Sequence, residues 1–156
     1  MRSFIPVVVA LAWLGACGGK APQQDPKVAR DSIRADSVAL ADSVFSPAAF
    51  DTIKWKSKAE AIERGSLVFK ISCVRCHGDG GGGRTNVVFQ GDTLNPPSFL
   101  GKDWALATDT MGLRKKIFSG NVAGMPHWGL IGLHYRDVDA VARYITDFLR
   151  PNYGEK

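Results

Sequence analysis

The feature that most constrains this chain is the segment Cys73-Val74-Arg75-Cys76-His77. Residues three apart lie on one face of a helical turn, so the two thiols face the same way and the histidine follows directly. This spacing is typical of c-type haem attachment, in which two thiols form thioethers with the vinyl groups of one porphyrin. The imidazole of His77 then lies under the iron. The sequence therefore predicts one covalently bound haem c.

Three other interpretations of the two cysteines are weaker. A thioredoxin-like redox motif requires a βαβ context, whereas the residues before Cys73 have a helical pattern. A structural zinc site requires a second ligand pair, and the sequence has no other C-x-x-C and no H-x-x-x-H. A simple disulfide between Cys73 and Cys76 would leave the adjoining histidine and glycines unexplained. We therefore favour haem attachment.

The N-terminus has the pattern of an export signal. Arg2 precedes the apolar stretch 4–16, whose 13 residues are too few to span a bilayer. The stretch ends in Leu14-Gly15-Ala16-Cys17, which resembles the bacterial lipobox, and this implies a lipidated Cys17 that anchors the protein to a membrane. The alternative is an ordinary signal peptide with an incidental cysteine. In both cases residues 1–16 are the signal peptide and the mature protein is extracytoplasmic.

The composition changes between residues 17 and 49. Acidic and basic side chains balance there, and Ile33, Ser37, Leu40 and Val44 have helical spacing but are too few to form a core. We predict that 17–49 is a lipidated N-terminus and tether, either flexible or partly helical. The alternative is a helix that docks on a partner subunit. The haem domain is assigned to residues 50–156, where fifteen basic and eleven acidic side chains leave a surplus of +4.

Residues 59–149 resemble a class I cytochrome c, a small mono-haem electron carrier. Helical spacing predicts a first helix over 58–71, a third helix over 109–119 and a last helix over 135–149. The apolar positions that carry the first and last helices are Ala61, Gly65, Val68, Phe69, Val138, Val141, Ile145, Phe148 and Leu149. The resemblance implies an all-α fold of three to five helices around one haem. It also implies that the first and last helices cross at Gly65 and Tyr144.

The candidates for the second axial ligand are Met111, Met125, His127 and His134. Met125 lies in Gly124-Met125-Pro126-His127-Trp128, which resembles the Met-Pro-x-Trp loop of the family. The resemblance implies a His77/Met125 ligand pair, which raises the haem potential and suits electron transfer. Met111 lies in a predicted helix, where methionine more often fills gaps in the core. Ligation by His127 would give a bis-histidine haem of lower potential, and we expect His127 to be a polar neighbour instead.

The resemblance also implies roles for the segments between the attachment site and the third helix. In the family a proline carbonyl accepts a hydrogen bond from Nδ1 of the proximal histidine, and we assign this carbonyl to Pro97 rather than Pro96. The glycine-rich loop 78–84 is expected to bring the backbone close to the haem edge. A phosphate-binding loop is a weak alternative, because no Lys-Ser/Thr follows. Trp104 and Trp128 are expected to line the haem pocket.

Ligation determines the expected function. With both axial positions filled by the chain, the iron has no vacancy for a small-molecule substrate, so we predict an electron-transfer protein of a respiratory or photosynthetic chain, not an enzyme. Its expected partners are a redox donor and a redox acceptor, with a basic docking patch at Arg114, Lys115, Lys116 and Lys102. Nucleic acid is a poor fit because acidic and basic residues alternate in an exported chain.

Two alternatives remain open. First, permanent docking of the 17–49 segment would favour a fixed mono-haem subunit of a membrane redox complex, for instance one resembling the mono-haem subunit of alternative complex III. Second, the domain is a haem enzyme or sensor if Met125 does not bind the iron.

Overall fold

The structure is a computed structural model that describes residues 25–154. The signal peptide and Cys17 therefore lie outside the described residues. The elements follow in the order α1 (Pro26–Val44), a 3₁₀ turn (Pro47–Phe50), α2 (Lys58–Ser72), α3 (Val74–His77), β1 (Val87–Phe89), β2 (Asp92–Leu94), α4 (Thr110–Ser119), α5 (Tyr135–Tyr144) and α6 (Arg150–Tyr153). The predicted all-α class is confirmed, with one small hairpin added. Within 25–154, every helix is too short or too polar to cross a membrane.

Helices α2 and α4 begin after residues whose side chains satisfy free backbone N–H groups. Ser57 accepts a hydrogen bond from the backbone N–H of Glu60 at 3.1 Å at the start of α2. Asp109 accepts one from Gly112 at 2.7 Å at the start of α4. Such caps typically contribute about 1 kcal/mol each. The sequence predicted both starts to within a residue.

Helices α2 and α5 cross in close contact, and they form the centre of the fold. The buried side of α2 consists of the four predicted residues, Ala61, Gly65, Val68 and Phe69. A Cβ atom placed on Gly65 would lie 2.7 Å from Cβ of Tyr144. The ring of Tyr144 in turn packs 5.4 Å from that of Phe69. The expected crossing at Gly65 and Tyr144 is confirmed, because only a residue without a side chain allows this approach.

The last helix extends beyond its predicted end. After α5 the chain continues through one wider π-type turn, Ile145–Leu149, into α6. Pro151 follows this turn, and proline has no N–H to donate to the carbonyl four residues earlier. Ile145 and Leu149 are buried, so the apolar stripe of α5 continues through the wider turn.

Helix α1 packs against the domain that it was expected to hold at a distance. Ala41 is fully buried, and the Tyr135 hydroxyl accepts a hydrogen bond from Ser46 N–H at 2.7 Å. The same hydroxyl donates to the Val44 carbonyl at 3.2 Å. Residues 26–44 are thus helical, one of the two forms expected for the tether, but they pack on the domain instead of keeping it at a distance. Their sparse apolar stripe faces solvent, since Ile33 is 66% exposed.

The prediction that Arg114 belongs to an exposed basic docking patch is wrong. Its guanidinium pairs with the carboxylate of Asp139, which is 1% exposed and also accepts hydrogen bonds from Trp55 Nε1 at 2.7 Å and Arg143 Nε at 2.8 Å. Burial alone would raise the pKa of Asp139, but these donors hold it below its usual value. Lys115 pairs with Asp42 of α1 at 3.3 Å. Two neighbouring cations of the expected patch are therefore used in ion pairs, Arg114 in an internal pair and Lys115 in a surface pair.

A two-stranded antiparallel hairpin, which we did not expect from the sequence, follows the glycine-rich loop. Val87 pairs with Leu94, and Phe89 pairs with Asp92. The two turn residues, Gln90 and Gly91, have φ of 52° and 84°. Positive φ at both central residues gives the tight turn whose twist matches that of paired strands.

We expect Gly65→Ala to lower the free energy of unfolding by about 1–3 kcal/mol, the range for overpacking a core. The reason is that the added methyl meets Tyr144 and the backbone of α5. Gly101→Ala is the matched control, because a Cβ at Gly101 meets no atom within 4 Å. Urea unfolding of both variants measures the effect. Equal stability of the two variants would contradict a tight crossing at Gly65.

Candidate functional site

A cavity of about 370 Å³ opens between α3, the hairpin and the loop after α4. It contains nearly all of the residues that the sequence singled out, namely Cys73, Cys76, His77, Pro97, Met125 and Trp128. Its other lining residues are mostly apolar: Ile71, Ser72, Arg75, Phe89, Leu94, Asn95, Pro96, Phe99, Asn121, Ala123, Gly124 and Pro126. A mostly apolar cavity with few polar groups is typical of a cofactor site.

The two cysteines and the histidine are held on consecutive helical turns. Cys73 ends α2, and its N–H donates to the Phe69 carbonyl at 2.8 Å. The Cys73 carbonyl accepts from His77 N–H at 2.9 Å, which closes the single turn of α3. Both thiols are free and line the same cavity. The position of α2 against α5 therefore determines where the attachment motif lies.

The Cys73 thiol lacks the properties of a redox-active nucleophile. Burial, together with a smaller effect of the nearby Cys76, raises its pKa to about 12. Nucleophilic cysteines of C-x-x-C redox motifs instead have a depressed pKa. This difference argues against the thioredoxin-like interpretation.

His77 is oriented by its surroundings. The residue is 9% exposed, and its ring lies 4.4 Å from that of Phe99. Its Nδ1 lies 3.4 Å from the Pro97 carbonyl. Burial lowers the pKa of His77, while the bond to Pro97 opposes this, so the ring is neutral at neutral pH. An N–H donated from Nδ1 leaves the Nε2 lone pair free to bind a metal.

The glycine-rich loop 78–84 contacts the backbone of two segments that line the cavity, at His77 and at residues 96–98. Gly83 has φ of 79°, and a Cβ on it would lie 2.7 Å from the Pro96 carbonyl oxygen and 2.8 Å from the Ser98 nitrogen. Its N–H donates to the His77 carbonyl at 3.0 Å. Gly83 thus brings the histidine and the 96–98 backbone together. The loop was expected to approach the haem edge, but residues 78–84 are absent from the described lining of the cavity.

Met125 reaches the cavity from a loop that is closed by its own hydrogen bonds. The backbone of Asn121 donates to the Met125 carbonyl at 3.0 Å, and the Asn121 side chain accepts from Met125 N–H at 3.2 Å. Trp128, from the same loop, also lines the cavity. His127 instead lines a smaller cavity on the side of α1. Met111 packs against the hydrophobic core.

The donor set fits the haem that the sequence predicts. Two free thiols, one neutral imidazole and one thioether line a single apolar cavity. These are the groups that attach a c-type haem and ligate its iron from two sides.

One wall of this cavity was not expected from the sequence, and one residue that was expected there lies elsewhere. Phe89 and Leu94 of the hairpin line this wall. The turn Gln90-Gly91, which follows the β-prone run Val87–Phe89, was the signal that could have revealed them. Trp104, expected in the lining, instead packs on Phe99 at 5.2 Å, outside the cavity.

Comparisons with known proteins agree with this geometry. Residues 60–145, more than half of the chain, match the family described as cytochrome C oxidase, cbb3-type, subunit III. The Cbb3-type cytochrome c oxidase subunit FixP of Bradyrhizobium diazoefficiens is 32% identical over 65 residues. That match covers 42% of this chain and only 20% of the relative. No solved structure matches the chain significantly.

We expect Gly83→Ala to lower the free energy of unfolding by about 1–3 kcal/mol, because it combines an unfavourable positive φ with a clash against the 96–98 backbone. Gly80→Ala in the same loop is the control, since a Cβ there meets no atom within 4 Å. Chemical denaturation of the two full-length variants compares them. If the Gly83→Ala variant were as stable as the Gly80→Ala variant, the backbone at Gly83 would not be in close contact with the 96–98 backbone.

Proposed function

This chain belongs to the cytochrome c oxidase, cbb3-type, subunit III family, and from that premise we propose that it carries single electrons through one covalently attached haem c. Cys73 and Cys76 hold the haem, and His77 and Met125 ligate its iron. The protein works on the extracytoplasmic side of a membrane, to which lipidated Cys17 anchors it. The signal peptide is 1–16, the segment after it is 17–49, and the haem domain is 50–156.

One observation carries this proposal: the two thiols, His77 and Met125 line one apolar cavity. The contact between His77 Nδ1 and the Pro97 carbonyl supports it further. An orienting contact of this kind makes an imidazole a better metal ligand. No other described methionine or histidine lines that cavity, which favours Met125 over the other ligand candidates.

Each residue has a defined task in electron transfer. When bound, the haem supplies a centre that gains or loses one electron. The thiols of Cys73 and Cys76 keep it on the chain outside the cell, where a lost cofactor is not recovered. His77 and Met125 would both bind the iron, which would leave no site on it for a substrate. The apolar walls, with Phe99 and Trp128, exclude water and favour a high potential.

The partners are a redox donor and a redox acceptor. A second candidate function is that of a fixed subunit of a membrane redox complex. The name of the matched Bradyrhizobium relative describes that protein as a subunit of a cbb3-type cytochrome c oxidase. The exposed apolar residues of α1 favour this second candidate, since Ile33 is 66% and Leu40 56% exposed. These side chains recur at helical spacing, and a partner subunit would cover them.

We expect the oxidised full-length protein to show the absorption band near the red edge that marks sulfur bound to ferric haem. Met125→Ala should abolish this band and allow carbon monoxide to bind rapidly to the reduced form. Met111→Ala is the matched control, because Met111 packs in the core, and it should retain the band. A wild-type protein without the band, or a Met125→Ala variant that keeps it, would refute Met125 as ligand and favour the enzyme or sensor alternative.

Co-purification from detergent-solubilised membranes distinguishes carrier from subunit. A mobile carrier should elute alone, and the Cys17→Ser variant should move from the membrane fraction to the soluble fraction. A stable stoichiometric complex would instead establish the fixed subunit. Membrane retention of Cys17→Ser without a partner would contradict the lipid anchor.

A further inference from the structure

Arg34 on helix α1 contacts both elements that form the far wall of the haem cavity. Its Nη2 lies 2.6 Å from Oδ2 of Asp92, at the start of β2. Its Nη1 donates to the Val122 carbonyl at 3.4 Å, in the loop that carries Met125. The side chains of Arg34 and Asp92 are only 13% and 14% exposed. One guanidinium thus joins three segments that are distant in sequence.

The two contacted segments also pack on each other at the cavity. A Cβ on Gly124 would lie 2.6 Å from Cδ2 of Leu94, so the hairpin and the Met125 loop are in tight contact. Val122 is the neighbour of Asn121, whose backbone and side chain both bond to Met125. A shift of Val122 therefore moves the residue that holds Met125.

A second cavity of about 160 Å³ lies between α1 and the Met125 loop. Arg30, Ile33 and Arg34 line one side, and Met125, Pro126 and His127 line the other. The side chain of Arg34 makes polar contacts with the segments on the far side of this space.

The charges around the pair favour it at neutral pH. Hydrogen bonding from Arg34 lowers the pKa of Asp92, against a weaker opposing effect of desolvation, so the carboxylate stays ionised. Arg30 adds a second cation at 3.6 Å from Asp92. Asp31, one turn before, lies 3.4 Å from Arg34 Nη1 and orients it from its own helix.

We propose that Arg34 is a positioning residue that holds Met125 in place to bind the iron, acting through Asp92 and Val122. The inference rests on the proposed function, since it assumes that Met125 is a ligand. If so, helix α1, the described helix nearest to the proposed membrane anchor, determines how firmly Met125 is held in its position for binding the iron.

The test uses the haem-loaded full chain with Arg34→Gln. We expect amide hydrogen exchange at residues 121–125 to rise about tenfold through local opening. The sulfur band should be lost at a lower temperature than the helical signal, and carbon monoxide should bind about tenfold faster to the reduced form. Arg34→Lys keeps the charge beside Asp92 and should restore part of each property.

Lys58→Gln is the matched control. Lys58 also pairs with a carboxylate of another segment, Asp147 at 3.6 Å, but neither partner belongs to α1, the hairpin or the Met125 loop. It should leave loop exchange and the band unchanged. Equal effects of Arg34→Gln and Lys58→Gln, or no effect of either, would overturn the inference. If the wild type lacks the band altogether, the proposed ligation fails, while exchange at 121–125 still tests whether Arg34 holds the loop.

Discussion

The crossing of α2 and α5 at Gly65 is the contact on which the rest of the structure depends. This crossing sets the position of α2 in the fold. Because Cys73 caps the end of α2, the crossing also sets the direction in which the attachment motif faces. The last helix supports the same site from another side, because Arg150 donates to the Phe99 carbonyl and Phe99 lies against His77. A change at Gly65 would therefore move both the thiols and the imidazole.

The remaining walls of the cavity belong to segments with little regular structure, and they depend on close backbone contacts. Gly83 allows the 96–98 backbone to approach His77, and Gly124 allows the Met125 loop to approach Leu94. The haem, once bound, would add apolar contacts to all of these segments. The chain thus combines a rigid pair of helices with walls that the cofactor itself helps to stabilise.

Helix α1 has one side that contacts the domain and one side that is exposed. The side chain of Arg34 contacts the hairpin and the Met125 loop, whereas that of Leu40 faces solvent. A partner that covered the exposed side would also restrain the inward side, because both belong to one rigid helix. Binding of a partner subunit would then also restrain Met125. This coupling connects the fixed-subunit alternative with the role proposed for Arg34.

The sequence by itself determined the local features: the C-x-x-C-H motif and the buried stripes of α2 and α5. Each depends on residues within a few positions of one another, and helical geometry relates such residues directly. The sequence also indicated the crossing at Gly65 and the Pro97 and Met125 segments through their resemblance to a known pattern. Only the tertiary structure decided the pairing of Arg34 with Asp92, 58 residues away, and of Arg114 with Asp139, 25 residues away. Ion pairs between distant segments have no periodicity, so charges that seem free in sequence find their partners only when the chain folds.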